Sequence, residues 1–354
     1  MKKLGKIACI FAVIFILAAS PAFSEDFPIE ELNDALGTFI GELAKSLPFN
    51  STIGLNWSDA YIGPLIGAPP HFGLGLSVGF TPLNFSAIGG LLDVIGAGDA
   101  ISGITDQMGE AGKIFNIIGG FPIPAYTFDL RLGGHGIPFD VGFKLGWLDT
   151  SKITALKDLL PDVGLNYLLV GGDFRYALID GKALPIRLSV GIGFNHMNTK
   201  ISMGVPIGDV NEQLDGNYYF IMKEPSLDVF WSTNVIEAKA QVSFPLLIIT
   251  PYAGVGASIG WSKAGYGVNA PAGVYENGNG PNLLNDYRDE LEEMGFGSLT
   301  NGGFSSTSDS KSSFNFRAFG GISLNLFVIR IDLTAMYDIV ARSLGASVGL
   351  RFQL

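Results

Sequence analysis

The chain has 354 residues, 47% of them hydrophobic, a mean hydropathy of +0.35 and a formal charge of −11. That acidity excludes a nucleic-acid partner, which needs clustered positive charge. Beyond residue 24 the apolar surplus contains no run long enough for a membrane-spanning helix, so a helical membrane protein is excluded as well.

The chain opens on a basic Met1-Lys2-Lys3 with Lys6, followed by an apolar run, Ile7 to Ala19. Ala22-Phe23-Ser24 puts small residues at the two positions a signal peptidase reads, which predicts cleavage before Glu25. The run is shorter than the roughly 20 residues of a spanning helix. Ser20 stands where a lipoprotein needs its cysteine, and the single cysteine, Cys9, lies inside the leader. The mature chain therefore has no thiol chemistry. Loss of Lys2, Lys3 and Lys6 leaves 19 basic against 33 acidic side chains, a charge of −14.

Residues 25–70 form an N-terminal extension. Leu32, Leu36, Phe39, Ile40 and Leu43 recur at helical spacing within Ile29–Leu47, with Glu30, Glu31, Asp34 and Glu42 elsewhere. Pro48, Pro64, Pro69 and Pro70 punctuate the rest of the extension. An apolar-faced helix needs a surface to cover. The extension is either a plug entering a lumen from the periplasm or a helix capping the mouth.

From His71 the period changes to two. Phe72, Leu74, Leu76, Val78 and Phe80 alternate with Gly73, Gly75, Ser77 and Gly79. The same pattern returns from Phe139 to Trp147, Ile186 to Asn195, Phe314 to Ala318, Ile329 to Tyr337 and Ser343 to Leu354. Pro124–Gly133, Val163–Ile179, Leu227–Phe244 and Thr250–Trp261 are further strands, with tight turns at Gly133–Gly136 and Asp180–Lys182. Such lengths match the roughly 9–11 residues of a tilted bilayer-crossing strand. The predicted fold is all-β, a transmembrane antiparallel β-barrel over residues 71–354. It has ten strands counted from His71. Twelve result if Asn217–Lys223 joins the wall and Leu227–Phe244 splits near Thr233, and fourteen is the upper bound.

Sidedness is consistent with this count. Outer-membrane barrels keep termini and short turns in the periplasm, and segments 81–122, 149–162, 199–225 and 263–312 then all face out. Segment 81–122 is apolar and glycine-rich, with helical spacing through Ile88, Leu91, Leu92 and Ile95, and is expected to fold into or over the mouth. Segment 263–312 is expected to hold a short helix, Leu283–Met294, then a mobile Ser/Thr/Gly run, Ser298–Ser313. Trp147, Trp231, Trp261 and Tyr337 fall near strand ends, where an aromatic girdle belongs.

The last strand ends Phe352-Gln353-Leu354. This resembles the C-terminal signal of outer-membrane barrels from diderm bacteria, spirochaetes among them, although those more often end in Phe. The resemblance implies the outer membrane as location, and its lipids and the barrel-assembly machinery as partners.

The charged residues of inward parity are Asp129, Arg131, Asp140, Lys144, Asp173, Arg175, Arg187, Glu237, Lys239, Arg317, Arg330, Asp332 and Arg351. Eight are basic and five acidic, in a chain that is acidic overall. One reading is a structural ladder of lumenal ion pairs. The other is an interior that accepts a small amphipathic or anionic solute, with Arg187, Arg317, Arg330, Arg351, Lys144 and Lys239 as its binding groups. The extension and the apolar mouth segment together resemble the outer-membrane long-chain fatty-acid transporter family, whose barrels carry an N-terminal hatch. That resemblance implies passage of hydrophobic or amphipathic solutes. It is architectural: the family's Asn-Pro-Ala hatch motif does not occur in Glu25-Asp26-Phe27-Pro28, and no residue is carried over.

No enzyme, cofactor or metal is expected. His71, His135 and His196 lie far apart without metal-ligand spacing. His196-Met197-Asn198 departs from the His-x-Ser-Asn-Gly segment by which outer-membrane phospholipases resemble one another. Two function classes remain: a transport channel, and a structural or surface-interaction, adhesin-like barrel.

Overall fold

The computed structural model describes residues 29–66, 70–84, 120–152, 163–204, 210–213, 216–222, 226–269, 272–278, 282–283, 286 and 304–354. A helix, α1 (Ile29–Asn50), precedes thirteen strands. They are β1 (Phe72–Asn84), β2 (Gly120–Gly133), β3 (Phe139–Asp149), β4 (Val163–Asp180), β5 (Arg187–Gly204), β6 (Val210–Gln213) and β7 (Tyr218–Met222). After them come β8 (Ser226–Ser243), β9 (Ile249–Asn269), β10 (Ala272–Glu276), β11 (Phe304–Leu326), β12 (Ile329–Asp338) and β13 (Ser343–Gln353). Ten of these close into a barrel in the order β1-β13-β12-β11-β9-β8-β5-β4-β3-β2, each pair antiparallel. Closure is made by β1 on β13, from Gly73 opposite Gln353 to Phe80 opposite Ala346.

Each strand puts one parity outside and the other inside. On β12, Leu333 and Tyr337 are exposed while Asp332, Thr334, Met336 and Asp338 are buried. Around the wall Leu76, Phe128, Phe143, Ile192, Ile236, Ile259, Phe316 and Leu350 are exposed outward. In water such a belt would be an unfavourable apolar surface. Against hydrocarbon it costs nothing, and closure leaves no backbone edge unpaired there. This is the architecture of a bacterial outer-membrane β-barrel. Among the described residues no helix is long and apolar enough to cross a membrane.

The turns at 134–138, 181–186, 244–248 and 327–328 share one end of the barrel with Phe72 and Leu354, and the longer connections share the other. The wall has ten strands, not twelve or fourteen. Tyr218–Met222 pairs with β6 and β10 in a separate three-stranded sheet, and β8 runs unbroken past Thr233. Strands also reach past the apolar alternation. β9 continues to Asn269 and β11 starts at Phe304, so much of the run expected to be a mobile loop, Ser298–Ser313, is paired strand. Beyond the bilayer a strand has water on both faces, so the alternation disappears while the hydrogen-bond ladder goes on. The helices expected around Ile88–Ile95 and at Leu283–Met294 lie outside the described residues, apart from Leu283 and Asp286.

Trp147, Trp261 and Tyr337 are exposed on the outer face, in keeping with a girdle. Trp231 is not. It shares the inward parity of Val235, Glu237 and Lys239 and is buried in the interior cluster. That cluster joins Phe39, Ile40, Leu43 and Leu47 of α1 to Val229, Tyr252, Ala264, Tyr266 and Phe319 of the wall. Helix α1 therefore lies within the long-connection half of the barrel, with most of its contacts on β9 and β11. From there the chain descends through residues 51–62 to the short-turn end, where Leu65 N–H donates to Gly134 O (2.9 Å) and β1 begins.

Candidate functional site

Polar side chains of the wall hold the descending segment along its length. Lys144 Nζ donates to Ser51 O (2.7 Å) and Ile53 O (2.8 Å), just past the carbonyl end of α1, where a cation suits the helix dipole. Gly54 then takes a left-handed φ of 87°, and a Cβ there would sit 2.2 Å from Thr127 Oγ1. Glycine is what lets the segment approach β2 so closely. Asp129 accepts from Leu55 N–H (3.0 Å), Trp57 Nε1 (3.4 Å), Ser77 Oγ (2.6 Å) and Thr127 Oγ1 (2.7 Å). Gln241 Nε2 donates to the carbonyls of Trp57 (2.7 Å) and Ser58 (3.1 Å), and Ser243 Oγ accepts from Ala60 N–H (3.0 Å).

Trp57 is fully buried between two guanidiniums, with Arg351 Cζ 4.8 Å and Arg131 Cζ 5.6 Å from its ring. Its ring lies on β1 where glycine leaves room: a Cβ on Gly73 would come within 2.7 Å of it. Both cations sit over a ring face, the geometry in which an aromatic quadrupole attracts charge.

Asp59 is the centre of the site. Its carboxylate accepts from Arg187 Nη1 (2.7 Å), Arg330 Nη1 (2.7 Å) and Arg351 Nη2 (3.0 Å), and its carbonyl accepts from Arg175 Nη1 (2.8 Å). Burial by itself would push this carboxyl up. The positive charges of Arg351, Arg330 and Arg187 outweigh it and hold the group well below the usual carboxylate range. A second network stands beside it. Arg175 grips Asp140 at both oxygens (2.8 and 2.9 Å), and Arg131 bridges Asp140 (2.6 Å) to Asp173 (2.9 Å). Lys239 pairs with Asp173 (2.5 Å), Arg317 with Glu237 (2.8 Å) and Arg351 with Asp332 (2.6 Å).

The six cations expected to form a solute site, Lys144, Arg187, Lys239, Arg317, Arg330 and Arg351, thus all face the interior, and each has an internal partner. Arg187, Arg330 and Arg351 come together on Asp59. Lys239 and Arg317 stand on carboxylates of β4 and β8, and Lys144 on backbone carbonyls. Sequence reasoning missed Asp59 and Trp57. One signal bore on Asp59: eight lumenal cations against five anions call for further acceptors, because an unpaired buried charge is costly; nothing comparable marked Trp57.

At the short-turn mouth a cavity of about 580 Å³ opens below this centre. Asp59, Arg187 and Arg330 form its floor, and the turns after β8 and β11 form its rim.

Other chemistry is dispersed. His71 Nδ1 lies 2.9 Å from Pro64 O, and His196 Nδ1 lies 2.8 Å from Asn234 Oδ1 on the outer surface. Three Gly-x-Ser-x-Gly matches, at Gly75–Gly79, Gly256–Gly260 and Gly345–Gly349, are stretches of wall strand with buried serines. A nucleophile elbow needs a strand-to-helix turn instead. Among the described residues no group of His, Cys, Asp and Glu is placed to hold a metal ion.

The sequence model of the family described as Lsa36-like matches residues 71–354, which is the whole barrel. The chain belongs to the Lsa36-like family. No curated protein sequence matches this Lsa36-like chain. Among solved structures it is similar to a major outer membrane protein from Thermus thermophilus, at 7% identity and TM-score 0.30, over 80% of this chain and 99% of that one. It is also similar to Ail, the attachment invasion locus protein of Yersinia pestis, at 8% identity and TM-score 0.25, over 80% and 97%. The translocator domain of autotransporter NalP from Neisseria meningitidis is a third, at 9% identity and TM-score 0.29, over 80% and 88%. The Lsa36-like barrel is established by its own hydrogen-bond ladder, independently of likenesses this distant.

Proposed function

We propose that this Lsa36-like protein is an outer-membrane barrel that presents its long connections, including the β6-β7-β10 sheet, to the cell exterior as a surface-interaction scaffold. Its lumen is closed in the resting state by residues 39–62. The observation that carries this is Asp59: a carboxylate on the internal segment accepts from three wall arginines, while the backbone around it satisfies Lys144, Arg175 and Gln241. An open channel would leave those cations facing water. Here they are spent on the protein itself.

A second reading is passage of a small amphipathic solute after the segment is displaced. The cavity at the short-turn mouth favours it, because a solute arriving there meets Arg187 and Arg330 first.

Planar-bilayer recording of the refolded protein separates the two. A sealed scaffold shows no stable conductance, and replacing Asp59 with alanine introduces channel steps. Steady conductance of the unmodified protein overturns the proposal. Sidedness has its own test, since the mature chain has no cysteine. On intact cells a membrane-impermeant maleimide should label Asn217→Cys and spare Lys182→Cys; the reverse pattern inverts the orientation.

A further inference from the structure

The cavity at the short-turn mouth has two kinds of wall. Its floor carries the only two lumenal arginines among the described residues that reach water appreciably, Arg187 with 26% and Arg330 with 19% of the side chain exposed. Their neighbours Arg131, Arg175 and Arg351 are sealed off. Arg187 donates through Nη1 alone, to Asp59 and Tyr61 O, and Arg330 through Nη1 alone, to Asp59 and Asn325. A guanidinium carries five N–H donors. Among the described residues Nη2 of each carries no hydrogen bond, and Arg330 Nε is buried without a partner, so donor capacity is left at both guanidiniums that line the cavity. Charge favours an anion as well: the lining holds two arginines, Arg187 and Arg330, against one carboxylate, Asp59.

The rim is apolar where a turn needs no apolar residue. Leu246, Leu247, Ile248, Leu326 and Phe327 line it, and Leu247 and Phe327 are fully exposed. Phe327 also sits at φ 55°, in the left-handed region, which glycine or asparagine occupies easily and a bulky residue rarely does. A strained, exposed phenylalanine beside a cationic floor is the kind of outlier from which a functional role can be argued.

We propose that this cavity binds an anionic amphiphile. Its carboxylate or phosphate head would bridge the unbonded Nη2 donors of Arg187 and Arg330, and its alkyl chain would lie against Leu247, Ile248 and Phe327. The volume falls in the usual range of small-molecule sites, roughly 300–1,000 Å³, and paired guanidiniums suit a planar or tetrahedral oxyanion. The site stands whether or not the barrel conducts, so its failure and the failure of the sealed-scaffold reading can be told apart.

The test is equilibrium binding of radiolabelled dodecanoate to the full mature chain in phosphatidylcholine nanodiscs. The expected result is saturable binding at one site per chain, displaced by dodecyl phosphate but not by dodecanol or inorganic phosphate. Arg187→Gln with Arg330→Gln should weaken it about tenfold or more, and Phe327→Gly should do so comparably. Phe327→Gly relieves the turn backbone, so it keeps the test falsifiable if the arginine variant folds poorly. Lys182→Gln, on a neighbouring exposed turn, should leave binding unchanged. Non-saturable uptake, displacement by dodecanol as effective as by dodecyl phosphate, or wild-type affinity in Phe327→Gly overturns the proposal. Repeating the titration in phosphatidylglycerol nanodiscs distinguishes two supporting outcomes: lost dodecanoate binding makes the lipid headgroup the ligand, and unchanged binding makes it a free alkyl acid.

Discussion

Asp59 Oδ2 lies 3.0 Å from Nη2 of Arg351, which stands 292 positions later in the chain, and this pair ties the internal segment to the last strand of the wall. Both side chains are buried, so their contact is screened far less than a surface pair. Replacing Asp59 by alanine leaves Arg187 and Arg330 without a charged partner and Arg351 with Asp332 alone. Loss of one partner from a buried pair costs about 3–5 kcal/mol. Asp59→Ala should lower the thermal unfolding midpoint clearly and make the 51–62 segment accessible to protease, whereas Asp59→Asn, which keeps an acceptor, should be milder. Equal stability of all three proteins, measured in the same lipid, would remove Asp59 from its central place.

The same carboxylate sets a pH dependence. Its native affinity for protons is depressed by the three arginines, so its contribution to stability is complete above the unfolded value of about 3.9. That contribution is lost progressively as pH falls below about 4 toward the native value. Unfolding of the wild type between pH 7 and 5 should therefore be insensitive to this group and become easier below about pH 4. Subtracting the Asp59→Asn curve isolates the effect; a difference that grows instead between pH 5 and 7 contradicts it.

Trp57 fills the space between Arg131 and Arg351 and rests on Gly73. Trp57→Ala should cost about 3–5 kcal/mol, as large-to-small changes of buried aromatics do. Gly73→Leu attacks the same contact from the wall side, where the outward strand face is untouched. The barrel should still form, seen as the heat-sensitive gel mobility of folded barrels, while the segment becomes protease-sensitive. If the segment stays protected in Gly73→Leu, the ring packing is not what seats it.

Lys144 binds two carbonyls at the end of α1 and is buried, so Lys144→Met exchanges two charge-assisted hydrogen bonds for an apolar side chain of similar length. Each such bond contributes roughly 1.5–3 kcal/mol, against which the saved desolvation must be set. The expected net loss is smaller than for Asp59→Ala and confined to local opening around residues 47–55. Hydrogen exchange of those amides reports it directly, and unchanged protection would show that the helix end needs no cation.

Much of the wall is legible in the sequence. Leu333 and Tyr337 against Asp332 and Thr334, or Phe314 and Phe316 against Asn315 and Arg317, announce both the strand and its two environments, because hydrocarbon tolerates only one side-chain type on its face. The same parity should have moved Trp231 indoors, since it stands an even number of residues from Glu237 and Lys239. Proximity to a strand end proved a weaker guide than the face it points from. The ends of β9 and β11 were illegible for a different reason: above the bilayer no apolar face is required, so Ser298–Ser313 reads as loop although its second half is laddered.

The sequence alone determined that this protein is a closed, lipid-facing β-barrel with charges turned inward, because alternation is a local property that survives in one dimension. It also showed that the interior was short of carboxylates. Which residue makes up the shortfall was decided only by the tertiary structure. Asp59 carries no periodic signal, and its meaning arises when strands β5, β12 and β13 close around it and bring Arg187, Arg330 and Arg351 to one point. Contacts of that range are set by the curvature of the closed sheet, and no window of neighbouring residues records it.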